Sequence, residues 1–172
     1  MPTLVVIDIQ KEYTTVNRPF YLNGIEPSLN NAKRMLELAR SLNWKIAHVQ
    51  HFREVERSPI FNRNLPEFSD FVEGFEPRED EFYFEKRIFS CYSNPEFSQF
   101  IESQKAEPIY LVGYGTTKCV LSTAVQGFHL GHKLTLVADG TYAKAEAAKG
   151  FSEEELHKAM VVAIGSSFSA FF

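Results

Sequence analysis

Three residues of this chain stand where side chains can do chemistry. Asp8 closes the apolar run Leu4-Val5-Val6-Ile7. Lys86 follows Glu81-Phe82-Tyr83-Phe84-Glu85. Cys119 lies four residues beyond Gly115 in Gly113-Tyr114-Gly115-Thr116-Thr117-Lys118-Cys119. A thiolate attacks electrophilic carbon, a carboxylate can take the thiol proton, and an ammonium steadies negative charge beside it. Each residue also has a plainer reading when taken singly. A strand-end Asp often bonds its own loop, an average Lys is a solvated surface group, and a free Cys is often a small packed hydrophobe. The glycines before Cys119 favour the chemical reading, because they let a substrate approach the backbone.

The histidines offer no comparable metal site. His48 and His51 lie on one predicted strand three residues apart, so they point to opposite faces. His129 and His132 fall near a predicted helix end, where a His favours the helix dipole without any metal; His157 stands alone on a late helix. No H-E-x-x-H or C-x-x-C spacing occurs. Gly113–Gly115 lacks both the P-loop and the dinucleotide fingerprints. Neither metal nor cofactor is expected.

The elements that must position these residues read as alternating strands and helices. Strands are predicted over Leu4–Ile7, Ile46–Gln50, Glu81–Glu85, Ile109–Val112 and Leu134–Ala138, with Ser167–Phe172 as a terminal edge strand. Asp139-Gly140 is read as the turn that ends the fifth strand. A helix N-capped by Ser28 carries Leu29, Ala32, Met35, Leu36, Ala39 and Leu42 at three- and four-residue steps. Further helices are predicted over Pro95–Ser103 and over Thr116–Leu130, the latter with Val120, Ala124, Val125 and Phe128 on its buried side. Ser152-x-x-Glu155 is a capping box that opens the last helix, through Ile164. The result is an α/β fold with a mainly parallel sheet and helices on both faces. Such sheets bind ligands beyond the carboxyl ends of their strands, which is where Asp8, Lys86 and Cys119 fall.

Composition bounds the function. One domain over residues 1–172 is expected, for a chain of this length has no room for a second. Eighteen Lys and Arg against 22 Asp and Glu give a net charge of −4, which excludes a cationic footprint for nucleic acid or anionic lipid. No apolar run approaches the roughly 20 residues of a membrane span. With two cysteines, Cys91 and Cys119, in separate segments, the chain is no disulfide scaffold, and a cytoplasmic location is expected. A thiol in the first turn of a helix is expected to titrate below the ordinary thiol range.

Asp8 in Leu-Val-Val-Ile-Asp-Ile-Gln, Lys86 in Glu-Lys-Arg-Ile-Phe-Ser and Cys119 in Val-Gly-Tyr-Gly-Thr-Thr-Lys-Cys-Val together resemble the isochorismatase-like cysteine hydrolases. That family includes nicotinamidases, N-carbamoylsarcosine amidases and isochorismatases. Val137-Ala138-Asp139-Gly140 and the late helix with His157 continue the pattern, so the match covers nearly the whole chain. The resemblance implies a three-layer α/β/α, Rossmann-like fold whose six-stranded, mostly parallel sheet has the order 3-2-1-4-5-6. It implies Cys119 as nucleophile, Asp8 as general base and Lys86 as the group that holds both. It further implies a cis peptide at Tyr114–Gly115, with the N–H groups of Gly115 and Cys119 as oxyanion hole.

Nicotinamidases of this family carry an Asp-x-His metal motif after the second strand. Here His51 and Arg53 occupy those positions, which points away from metal-assisted chemistry. Cys91 is read as a packed spectator. The expected activity is metal-independent cleavage of a small amide or related C–N bond through a thioester, and family analogy implies a homo-oligomer. The pocket is drawn from Tyr13, Phe20, His51, Phe52 and Tyr114, with Gln10 supporting its loop. Three alternatives remain open on sequence: a vinyl-ether hydrolase of the isochorismatase type, a catalytically silent scaffold, and a redox-sensing thiol.

Overall fold

The computed structural model describes all residues except 54, 56, 146–148, 168, 169 and 172. Strand β1 (Thr3–Ile7) is buried along its entire length, and its alternate residues feed two separate cores. Leu4 and Val6 face one side, where helix α2 (Glu26–Ser41) lays down Ala32, Met35, Leu36 and Ala39. Val5 and Ile7 face the other. There α4 (Pro95–Ser103) contributes Phe97 and Ile101, α5 (Leu121–His129) Ala124, and α6 (Glu153–Ser167) Ile164. Burial on both faces is why the run is continuously apolar rather than alternating.

The remaining strands are β2 (Lys45–His51), β3 (Phe82–Lys86), β4 (Ile109–Tyr114), β5 (Leu134–Tyr142) and a two-residue β6 (Ala170–Phe171). Their order is β3-β2-β1-β4-β5-β6 and every described pairing is parallel. Short helices α1 (Lys11–Thr14) and α3 (Pro66–Ser69) lie in the two long connections that carry no periodic pattern. Of the predicted terminal strand Ser167–Phe172, residues 168, 169 and 172 lie outside the described residues.

Three local expectations need correction. Helix α2 starts before Ser28, at Glu26-Pro27, because proline suits a first turn whose N–H groups lack partners. The Ser28 hydroxyl instead donates to the Ile25 carbonyl and bonds the buried Tyr114 hydroxyl at 3.0 Å. Asp139-Gly140 does not end β5. The strand shifts register against β4, so that Leu111 faces Leu136 but Gly113 faces Thr141, and it continues to Tyr142. Phe128 is exposed, and Gly127 takes the inward place on α5. Any side chain there would collide, since a Cβ at Gly127 would lie 2.4 Å from Leu134 Cδ1. A glycine carries no hydrophobic signal, so the sequence pattern chose its larger neighbour.

The capping box forms as read. The Ser152 hydroxyl accepts from the Glu155 N–H, and the Glu155 carboxylate accepts from the Ser152 N–H.

Candidate active site

The carboxyl ends of β1, β2, β3 and β4 converge beside β1, where the strand order reverses direction. Asp8 leaves β1 in the left-handed region, with φ of 52°. The residue before it, Ile7, pairs across the ladder with Gly113, which has φ of 120°. A Cβ at Gly113 would sit 1.9 Å from the Ile7 carbonyl oxygen, so only glycine lets β4 pass β1 at the point where Asp8 turns. Beyond it the Tyr114–Gly115 peptide is cis. A single π-turn, Thr116–Val120, then carries Cys119 into α5, with the Gly115 carbonyl accepting from the Lys118 and Val120 N–H groups. On the far side of this turn the Thr116 hydroxyl meets His157 Nδ1 at 3.2 Å, tying α6 to it.

Lys86 ends β3 opposite His51, the last residue of β2. Its side chain is fully buried, and its Nζ lies 2.7 Å from Asp8 Oδ2, 3.0 Å from His51 Nδ1 and 3.3 Å from Cys119 Sγ. The ammonium thus occupies the centre of the Asp8, His51 and Cys119 group, whose potential ligand atoms all lie within 4.8 Å of one another. A metal ion does not fit there, because the Lys86 ammonium already occupies the space between the three groups and would add a like charge beside it. Arg53, at the second position of the related metal motif, has no lone pair to donate.

The electrostatics reverse one expectation. Burial raises the Cys119 thiol pKa, the adjacent Asp8 carboxylate raises it further, and the Lys86 ammonium only partly opposes them. The resting sulfur is therefore a neutral thiol next to a carboxylate, not a preformed thiolate. For Lys86, burial works against the charge, but Asp8 and Cys119 outweigh it and the ammonium is held above its ordinary range. His51 moves down to about 4, first through burial and then through Lys86, so the ring is neutral at pH 7. Because its Nδ1 accepts from the ammonium, its proton sits on Nε2. Burial pushes Cys91 up to about 12 and its N–H donates to Thr123 Oγ1; it is a packed, protonated thiol.

Gln10 is the buried clasp of the site. Its amide nitrogen donates to the carbonyls of His51 and Ser69, and its oxygen accepts from the His51 N–H, which joins the ends of β1 and β2 to α3. Above Cys119 opens a cavity of about 350 Å³. Tyr13, Phe20 and His51 line it as expected from sequence, together with Arg53, Ile60, Phe61, Arg87, Ile88, Phe89 and Lys118. Phe52, Tyr114 and Gln10 do not line it. Phe52 packs beneath the Arg63 guanidinium, Tyr114 is fully buried against Ser28, and Gln10 acts behind the wall. Sequence reasoning misses Ile60 and Phe61 because the loop after Arg53 folds back, with the Arg53 N–H donating to the Phe61 carbonyl, and no periodicity encodes that return. Arg87 and Lys118 do have a signal, since each adjoins a predicted site residue in sequence.

The model of the isochorismatase domain family matches residues 2–167, and the chain belongs to this family of isochorismatase-like hydrolases. It is a hydrolase. Among similar proteins, the maleamate amidohydrolase of Pseudomonas putida is 24% identical, the match covering 80% of this chain and 70% of that protein. A secreted isochorismatase effector of Verticillium dahliae is 29% identical, over 79% of this chain and 70% of its own length. The fold matches that of a cysteine hydrolase from Pseudomonas syringae with a TM-score of 0.86 at 16% identity, over 99% of this chain and 88% of that one. No helix among the described residues is long and apolar enough to cross a membrane.

Proposed function

We propose that this hydrolase cleaves the C–N bond of a small amide through a thioester on Cys119, without a metal. The observation that carries this reading is the position of Lys86 Nζ, 2.7 Å from Asp8 Oδ2 and 3.3 Å from Cys119 Sγ, at the floor of a cavity that reaches the thiol. As Sγ attacks the amide carbon, its proton passes to Asp8, and the N–H groups of Gly115 and Cys119 receive the developing oxyanion. Neither Asp8 oxygen has a well-angled hydrogen-bond partner, so lone pairs stay available for that proton. Asp8 then protonates the leaving nitrogen, the C–N bond breaks, and ammonia or an amine departs. Water enters, gives its proton to Asp8 and attacks the thioester; the acid is released and the proton returns to sulfur. Lys86 stays charged throughout and holds both anionic partners in reach of each other.

The test is a panel of small amides that includes maleamate, the compound in the relative's name, with intact-mass detection of acylated Cys119 after rapid quenching. Turnover with a transient acyl adduct, absent in Cys119→Ala and unaffected by chelators, is the expected result. Turnover that survives Cys119→Ala, or that chelators abolish, would overturn the reading.

A further inference from the structure

The Lys86 ammonium does not line the cavity. It lies behind the wall in contact with Asp8, His51 and Cys119, so its influence reaches a bound molecule through those groups. Two of them, His51 and Cys119, face the cavity. The His51 residue is only 7% exposed, and its two ring nitrogens have different surroundings. Nδ1 accepts from Lys86 Nζ at 3.0 Å, which places the ring proton on Nε2. Nε2 has no hydrogen-bond partner among the described residues, and since the ring lines the cavity, its N–H is left for whatever fills that space. The ring is also held in place. Gln10 bonds both the N–H and the carbonyl of His51, and the ring stands edge to face with Phe61, the centroids 5.1 Å apart. Protonation would put a second N–H on Nδ1, against the ammonium, and burial adds to that cost. The ring therefore donates from Nε2 and does not accept. The ammonium on Nδ1 polarises it and strengthens that donor. What such a group selects is a lone pair rather than a charge.

We propose that His51 is the specificity-determining donor of the site, its Nε2–H binding an uncharged ether or keto oxygen that the substrate carries beside its scissile carbonyl. This rests on the amide-cleaving reading for the reacting end, in which the Gly115 and Cys119 N–H groups take the scissile oxygen, so the acceptor at His51 is a second one. Methoxyacetamide and butyramide provide the test, being uncharged and nearly isosteric, with an ether oxygen in one replacing a methylene in the other. Their next homologues move the oxygen one atom further from the amide. For each pair the ratio of kcat/KM values is divided by the ratio for alkaline hydrolysis, which removes the intrinsic activation of the amide by the ether. The enzyme should favour the ether about tenfold in one of the pairs, the scale of a strong neutral hydrogen bond. His51→Leu should return the ratio to that of alkaline hydrolysis, whatever it does to the thiol, because both amides meet the same thiol. His51→Gln, whose side chain can accept from Lys86 and donate into the cavity, should restore part of the preference.

The donor is also read without turnover. Cys119→Ala with isotopically labelled histidine is followed by nitrogen NMR at saturating amide, the His51 signals being those lost in His51→Gln. The free protein should show a neutral ring protonated at Nε2, and the ether should shift that nitrogen where its alkyl isostere does not. A ring protonated at Nδ1, or an Nε2 signal that ether and isostere move alike or not at all, overturns the proposal, as does an ether preference that survives His51→Leu. Amide turnover with no ether preference in either pair overturns the donor and leaves the amidase reading intact. An ether-selective shift without turnover of any amide supports the donor and counts against the amidase reading.

Discussion

At the residue scale, the site is governed by where one ammonium sits. Lys86 lies between a carboxylate and a thiol that would otherwise repel each other once the sulfur ionised, and burial removes the water that would screen them. Because the Asp8 carboxylate raises the thiol pKa, removing its charge should have two effects of opposite appearance. In Asp8→Asn, turnover should fall by about three orders of magnitude, within the range for loss of a general base. Its iodoacetamide reactivity at fixed pH should rise, because the thiol pKa comes down. A thiol that alkylates more slowly in Asp8→Asn would mean that Asp8 favours the thiolate, against the geometry of the site. Lys86→Gln should move the thiol pKa in the other direction, upward, and its alkylation profile along the pH axis is the measurement.

At the scale of elements, the site depends on how closely β4 approaches β1. Gly113→Ala should destabilise the fold by about 3 kcal/mol or more, combining the strain of a left-handed φ with a Cβ forced against the Ile7 carbonyl. Gly131→Ala is the internal comparison. Gly131 also has positive φ, at 79°, but nothing lies within 4 Å of where its Cβ would stand, so only the conformational cost of about 1 kcal/mol remains. Urea unfolding midpoints of the two variants measure the difference. Equal losses would mean that the Ile7 contact relaxes freely.

For the molecule as a whole, the buried histidines set the acid side of its stability. His51 is depressed to about 4 and His48 is also lowered, in both cases chiefly by burial. A histidine near 6.5 when unfolded then binds more protons in the unfolded chain, so stability is complete above that value and declines as pH falls toward 4. His51 alone accounts for roughly 3 kcal/mol of this decline. Glu81 adds a second, lower step. Burial opposes its charge, but the Arg40 guanidinium holds the carboxyl down at about 2, so its contribution is lost between about 4.5 and 2. Denaturant titrations across pH should show the upper step, and His51→Asn should flatten it. An unchanged slope in that variant would assign the acid sensitivity to other groups.

The amino-acid sequence by itself determined the strand and helix alternation, the two-sided burial of β1, and the positions of Asp8, Lys86 and Cys119 at strand and helix ends. Each of these follows from local pattern, which periodicity and punctuation carry. Tertiary structure alone decided that Lys86 Nζ reaches Asp8, His51 and Cys119 at once, because those residues come from four segments and their meeting depends on sheet order and register. It also decided the direction of the thiol pKa. The local features of Cys119, a helix start and a neighbouring lysine, argue downward, but burial and the Asp8 carboxylate, which only the folded chain brings to it, argue upward and prevail. The cavity wall followed the same division: Arg87 and Lys118 adjoin site residues in sequence, but Ile60 and Phe61 arrive by a loop return that carries no periodic signal.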